Sequence, residues 1–306
     1  MSTTKILIVL FGLACPAPTL AWNGFGHMTV AAVAYKKLNP AVATKVSTLL
    51  QLNPDYATWI ANVPAKNRDM IAFLMAATWP DVIKGEAGYT NDGNQPSGPD
   101  SGRNIGYFDK LQHRYWHYID EPFSPDGTAM KQPVPPNART QITLFRTTLT
   151  SPTANDDVKS YDLVWLLHLV GDVHQPLHCT SRFDKQQPNG DQGGNLVSLC
   201  KLPCKDELHV LWDDLLGIQT DPNAAIKRAS TLATPDPILS AIADEATWIA
   251  ESLQAAEHSV YIAPIEVGPG PFTVNAKYKK QAQALAVKRV ALAGARLANL
   301  LNDALK

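Results

Sequence analysis

Leu167-His168-Leu169-Val170-Gly171-Asp172-Val173-His174-Gln175-Pro176-Leu177-His178 places three histidines and one carboxylate inside an otherwise apolar stretch. Upstream, Leu163, Leu166, Leu167 and Val170 recur at helical spacing, which predicts a helix over 161–173. His168 and Asp172 then stand at i and i+4 on one face. Pro176 ends that helix, and His178 lies just past the break. About thirty residues further on, Leu208-His209-Val210-Leu211-Trp212-Asp213 repeats the His-x-x-x-Asp spacing on a second short helix. Neutral imidazole and carboxylate are the usual ligands of zinc and related divalent cations. Burying this many ionisable groups without a cation is costly, because each desolvated charge must be paired or neutralised. A single such pair reads as a surface or capping contact; two pairs with a flanking histidine point to metal chemistry.

Outward from these clusters the chain reads as helices joined by Pro- and Gly-rich loops. Helices are expected at Gly26–Leu38, Ala41–Leu50, Lys66–Ala76, Ala138–Leu149, Tyr161–Val173, Asp206–Leu216, Pro222–Ala233, Pro237–Ala256 and Asn275–Asn302. Loops 85–106 and 120–137 carry Gly, Asn, Asp and Pro. Near 179–204, Asp191-Gln192-Gly193-Gly194-Asn195 has the composition of a turn between short extended segments, a small hairpin-like excursion. No internal repeat, low-complexity tract or linker interrupts the chain. The expected fold class is mainly α, a single helical domain over 22–306.

Composition narrows the rest. Of 306 residues 45% are hydrophobic and 18% charged, enough for a sizeable core. A formal net charge of −1 argues against affinity driven by a strongly basic surface, so the phosphates of any polyanion must be held mainly by local cations; the global charge neither proves nor excludes nucleic acid. Residues 1–21 have the form of a secretory leader: Lys5, an apolar run from Ile6 to Ala14, and small residues at Thr19 and Ala21 before the expected cleavage. That apolar run is too short to span a bilayer. The expected location is secreted or periplasmic, and the mature chain would begin at Trp22. Cys179, Cys200 and Cys204 would then sit in an oxidising compartment, where at most one internal disulfide can form. Cys200 with Cys204 would close a small loop; Cys179 would instead staple the base of the excursion.

Other segments add donors. Trp22-Asn23-Gly24-Phe25-Gly26-His27 opens the mature chain, Trp79-Pro80-Asp81 follows a helix, and Trp116-His117-Tyr118-Ile119-Asp120 sets a histidine among aromatics. With His168-Leu169-Val170-Gly171-Asp172, Pro176-Leu177-His178, Gly193-Gly194-Asn195 and His209-Val210-Leu211-Trp212-Asp213, their order and spacing resemble the zinc-dependent, single-strand-specific secreted nucleases of the mung-bean type. Those nucleases are related in fold to zinc-dependent phospholipase C, and the likeness runs from Trp22 to the final helix.

The resemblance implies three zinc ions (Zn2+). One would take Asp81, His117, His168 and Asp172. A second would take the α-amino nitrogen and carbonyl oxygen of Trp22, with His27 and a shared Asp172. The third would take His178, His209 and Asp213. Asp81, Asp172 and Lys84 are the implied catalytic set; Lys84 stands where the family carries an arginine, keeping the charge without the bidentate fork. Tyr118 would stack a base, Asp120 would read its edge, and Asn195 would contact substrate or support a ligand. The implied substrates are single-stranded DNA and RNA, cut to 5′-mononucleotides, and 3′-nucleotides; a monomer without a membrane anchor is expected. His174 has either an orienting or a plain hydrogen-bonding role, and His113 and His258 surface or packing roles. Zinc-dependent phospholipase C is the nearest alternative, since one cluster can split either diester. A non-catalytic periplasmic zinc-binding protein is the second, although donors dispersed singly over helices favour a rigid cluster.

Overall fold

The apolar run around His168 forms the helix Asp156–Asp172, buried at every position from Ser160 to Asp172. A helix buried on every face has to be enclosed by others, and this one is the axis of the molecule. The computed structural model describes residues 22–201 and 206–306. In chain order the α-helices are α1 (Gly24–Tyr35), α2 (Pro40–Leu50), α3 (Tyr56–Ile60), α4 (Arg68–Ala76), α5 (Trp79–Val82) and α6 (Ala138–Thr150), followed by the central helix as α7. Then come α8 (Leu208–Asp213), α9 (Pro222–Ser230), α10 (Pro237–Ala241), α11 (Glu245–Ala255) and α12 (Ala276–Ala304). Helices α1, α2, α4, α5, α6 and α12 all pack on α7. One apolar core joins them, with Trp22, Trp79, Trp116, Trp165, Trp212 and Trp248 fully buried in it.

Local chemistry sets the helix starts. Asn155 caps α7 by accepting from the Val158 amide at 2.9 Å, with Asp156 and Asp157 in the positive first turn. Asn137 and Thr140 form a reciprocal capping box on α6. Most helices sit within a few residues of expectation. The predicted Pro237–Ala256 helix is broken: Ile242 is extended, and Asp244 starts α11 afresh by accepting from Thr247 N. Arg146 Nη1 donates to the Ala243 carbonyl at 2.8 Å and Trp248 Nε1 to that of Ile242 at 2.8 Å, so distant side chains satisfy the break. The helix expected at Asp206–Leu216 shortens to α8.

The described part of the excursion carries little strand. Strand β1 (Pro122–Phe123) pairs in parallel with β2 (Ser181–Arg182), joining the excursion to the 120s loop. The antiparallel pairing expected around the 191–195 turn lies further along, at Ser198 and Glu207. Gly193 takes the left-handed φ of 60° beneath the Leu177 carbonyl, where a side chain would clash. Cys179 is a free, buried thiol, so it does not staple the excursion. The leader at 1–21 and Cys204 lie outside the described residues. Among those described, no helix is long and apolar enough to cross a membrane.

Helix α1 carries His27 and is pressed onto α12 at Gly294. A Cβ there would meet Val33 Cβ at 2.5 Å and the Val30 carbonyl at 2.8 Å. Gly294→Ala is therefore expected to force the two helices apart and cost about 1–3 kcal/mol. Thermal unfolding of wild type and variant checks this; equal midpoints would mean that the contact is not tight.

Candidate metal centre

Five segments bring their donors to one end of α7. Asn23 caps α1, accepting from Phe25 N at 3.1 Å and Gly26 N at 3.2 Å, while its own Nδ2 donates to Asp214 Oδ1 and the Gly217 carbonyl, each at 2.7 Å. This ties the start of α1 to the end of α8. His27 then passes α7 at Gly171, where any Cβ would approach its Nδ1 to 2.9 Å. The His27 ring stacks on that of His168 with centroids 3.7 Å apart.

The first donor group is His117 Nδ1, His168 Nε2, Asp172 Oδ2 and Asp81 Oδ1. His117 and His168 nitrogens are 2.9 Å apart, and Asp172 Oδ2 lies 3.2 and 3.3 Å from them. Asp81 Oδ1 is 3.8 Å from His117 Nδ1 and 3.7 Å from His168 Nε2. Four donors about 2.0–2.1 Å from one zinc in a tetrahedron would be separated by ~3.3 Å, which these spacings bracket. The other oxygen of Asp172, Oδ1, is 3.2 Å from His27 Nε2. One carboxylate thus faces two histidine sets. The nearest residues to Asp172 on either side fit the same purpose: Gly171 admits His27, and α7 ends immediately after.

His178 Nε2, His209 Nε2 and Asp213 Oδ2 form a second group of donors. His178 Nδ1 donates to the His117 carbonyl at 2.8 Å and His209 Nδ1 to that of Gly193 at 2.7 Å. With those protons placed, both Nε2 atoms present lone pairs, yet they face each other at 3.0 Å. Two acceptors cannot hydrogen-bond; a shared cation is what both can bind. Asp213 Oδ2 is 3.5 Å from His209 Nε2, and its Oδ1 accepts from Gln175 Nε2 at 2.7 Å. By spacing alone, three overlapping groups could each hold an ion: His27, Asp81 and His168; His117, His168 and Asp172; His178, His209 and Asp213. The first two share His168 Nε2, which can serve only one ion, so a separate ion at His27 has to draw on Asp172 Oδ1 instead.

Burial favours neutral imidazoles with free lone pairs, and it makes buried carboxylates costly unless a cation is bound. Burial lowers the pKa of His27 and His209 to about 4, and holds His117, His168 and His178 well below the usual imidazole range. Burial also raises the Asp172 and Asp213 carboxyls, with the Asp81 charge adding to the effect on Asp172. Both His27 nitrogens, Asp81 Oδ2, His117 Nε2 and Asp172 Oδ1 are buried without a hydrogen-bond partner. Such orphaned polar atoms are costly unless something else binds them. The donor types, spacings and orphaned atoms all fit divalent metal. Lys84 Nζ supplies the nearby positive charge, 2.7 Å from Asp81 Oδ1.

Beside this centre lies a cleft of about 320 Å³ lined by Tyr118, Asp120, Gln95, Val134, Asn189 and Gln192, among others. Its lining includes Tyr118, one residue from His117, and the Ile119 amide donates to the His178 carbonyl at 2.8 Å. Tyr118 is half-buried and its hydroxyl donates to the Asn94 carbonyl. Burial, reinforced by Asp191, pushes the Asp120 carboxyl up to about 7. Asn195 stands outside the cleft: its Nδ2 donates to the Gln192 carbonyl at 2.6 Å and lies 3.3 Å from His209 Nδ1, so it braces the loop that fixes His209. Trp22 is fully buried, with its Cβ against Gly26 in the first turn of α1.

The remaining histidines separate cleanly. His258 is exposed. His174 donates to the Val170 carbonyl at 2.7 Å and accepts from Arg296 Nη1 at 3.0 Å, a hydrogen-bonding role without contact to a donor. His113 is fully buried at φ 45°, stacked 3.5 Å from the Trp116 ring. Its Nε2 lies 2.9 Å from Asp109 Oδ2 and its Nδ1 3.2 Å from Asp92 Oδ2, which locks the loop forming one wall of the cleft. Gln175 and the carbonyls of Ala77, His117 and Gly193 were not singled out by sequence. For Gln175 the available signal was its place between His174 and Pro176 inside the decisive motif.

The S1/P1 Nuclease family model matches residues 22–306. Endonuclease 2 of Arabidopsis thaliana is 22% identical over 209 residues, 68% of this chain and 60% of that protein. Nuclease S1 of Aspergillus oryzae is 25% identical over 230 residues, 72% of this chain and 63% of that protein. The chain thus spans about three fifths of the length of these two curated relatives.

For His113, burial alone would lower the pKa, but Asp109 and Asp92 outweigh it and the net shift is upward. A raised folded pKa means that its stabilisation is fully present below the unfolded value near 6.5 and is lost as pH rises through the folded value. His113→Asn keeps a residue tolerant of positive φ and should cost about 3–5 kcal/mol at pH 6 by breaking a buried pair. The difference in unfolding midpoint from wild type should shrink toward pH 9. A difference independent of pH would show that His113 is neutral in the fold.

Proposed function

This chain belongs to the S1/P1 nuclease family, and from that premise we propose that it is a secreted zinc-dependent endonuclease. It would hydrolyse phosphodiesters of single-stranded DNA and RNA to 5′-mononucleotides and release phosphate from 3′-nucleotides. The observation that carries this reading is the pair of lone-pair nitrogens of His178 and His209, 3.0 Å apart, next to a carboxylate shared between two histidine sets.

We assign one zinc to Asp81, His117, His168 and Asp172, and a third to His178, His209 and Asp213. The second would be held by His27, Asp172 and the amine and carbonyl of Trp22, a chelate that exists only once residues 1–21 are removed. Bound there, zinc acidifies water and neutralises charge building on a phosphate. The chain's own groups select and orient the substrate. Asp172 holds two donor sets in register through its two oxygens. Lys84 Nζ places a cation beside Asp81, where a phosphate oxygen would meet it. Tyr118 offers a ring for stacking an unpaired base, and Asp120 a carboxyl for its edge. A paired base would have to leave its duplex to enter this cleft, which supports single-strand preference. An aromatic ring at Tyr118 and a carboxyl at Asp120, both lining the cleft beside His117, favour this reading over a phospholipase C. The protein would act as a monomer in a secreted or periplasmic setting, with Cys200 and Cys204 as the candidate disulfide pair.

The test is metal and end-group analysis of protein beginning at Trp22. Wild type should contain three zinc ions and leave 5′-phosphate ends on single-stranded DNA. Asp172→Asn should lose two ions together and slow turnover by at least on the order of 10²-fold, the scale of losing one transition-state charge partner. Loss of a single ion would contradict the shared carboxylate, and headgroup release from phospholipid with intact DNA would contradict the nuclease reading. Tyr118→Ala should raise KM for single strands by the equivalent of about 1–3 kcal/mol of stacking, while Tyr118→Phe, which keeps the ring, should stay near wild type. An unchanged KM in Tyr118→Ala would remove the stacking role.

A further inference from the structure

Besides the loop locked by His113, two segments that follow the paired strands β1 and β2 line the cleft beside His117. One is the strap 130–136, stiffened by Pro133, Pro135 and Pro136. It leads into Ala138, whose amide donates to the Tyr118 carbonyl at 3.1 Å. The other is the turn 189–192, where the Asp191 amide donates to the Arg182 carbonyl at 3.0 Å and the Gln192 amide to Ser181 Oγ at 3.2 Å. Lys131 spans the gap between them, its Nζ donating to Asn189 Oδ1 at 2.8 Å. Among the described residues lining the cleft it is the only cationic side chain. Its partner is a neutral amide oxygen, which accepts the hydrogen bond without itself neutralising the ammonium charge.

We infer that Lys131 receives the second phosphate of the nucleotide whose base enters the cleft. The site then distinguishes a strand, or a nucleoside 3′,5′-bisphosphate, from a nucleoside 3′-phosphate. This rests on the nuclease reading above. With the base against Tyr118 and the 3′-phosphate at the donors next to His117, the 5′-phosphate would leave the sugar on the side away from those donors, and Lys131 is the cation that the cleft lining offers it. A phosphate oxygen is a stronger acceptor for an ammonium than the Asn189 amide that now holds it. Lysine suits this position because a point charge on a flexible stem tolerates variation in strand path, and phosphate contact carries no base preference.

The test compares KM for adenosine 3′-phosphate and adenosine 3′,5′-bisphosphate on zinc-loaded protein. Wild type should favour the bisphosphate by about five-fold, the upper end for an exposed charge pair, and added salt should erode that advantage. Lys131→Gln should bring the ratio close to one, and Lys131→Arg should restore it. Lys227→Gln, on an exposed position of α9, should retain the wild-type ratio. Equal KM values in wild type, or an advantage that survives Lys131→Gln, would overturn the inference while leaving the nuclease reading intact. Failure to hydrolyse either compound would overturn both.

Discussion

Three histidines at the heart of this fold have their tautomer set by the backbone. The Nδ1 protons of His168, His178 and His209 are given to the carbonyls of Ala77, His117 and Gly193 at 2.7–2.8 Å. Each Nε2 is therefore a lone pair before any ligand arrives, and burial keeps it unprotonated. The His117 carbonyl serves His178 while the His117 ring serves the other donor group, so one residue fixes the spacing of two sets. Placement of these carbonyls by the helices and loops around α7 is what converts a helical core into a binding centre.

Such an arrangement works against the stability of the protein without its ions. Neutral imidazoles at hydrogen-bond distance with no proton between them, and carboxylates stripped of water, are costly to bury. The surrounding apolar core has to offset that cost, and metal binding relieves it, coupling ion affinity to folding. The same water-poor surroundings strengthen every charge interaction at the centre. This explains why the donors occupy the fully buried end of α7 while the cleft that would take a nucleotide opens beside them, with exposed side chains such as Gln95, Asn189 and Gln192 in its lining.

Much of this was legible from residue spacing. The i, i+4 pairs at His168/Asp172 and His209/Asp213, and the stop at Pro176, depend only on helical periodicity and proline sterics, and the structure brings all the named side-chain donors together. Helix ends were less legible, because Asn23, Asn155 and Asp244 are capping residues whose use depends on the packing around them. The break between α10 and α11 is satisfied by Arg146 from another helix, a long-range contact that no local pattern encodes. Backbone carbonyl acceptors are invisible to residue identity altogether. Asn195 shows the same limit: its amide proved to brace the His209 loop, a distinction that composition does not carry. Lys131 and Asn189 meet only because two separate loops are tied to β1 and β2.

The central claim is that the three donor sets each hold an ion when the chain begins at Trp22. An anomalous-difference map recorded at the zinc absorption edge, from crystals of that protein, addresses it most directly. The account predicts three peaks: one among Asp81, His117, His168 and Asp172, one between His27 and Asp172, and one among His178, His209 and Asp213. A single peak, or peaks away from these side chains, would contradict it.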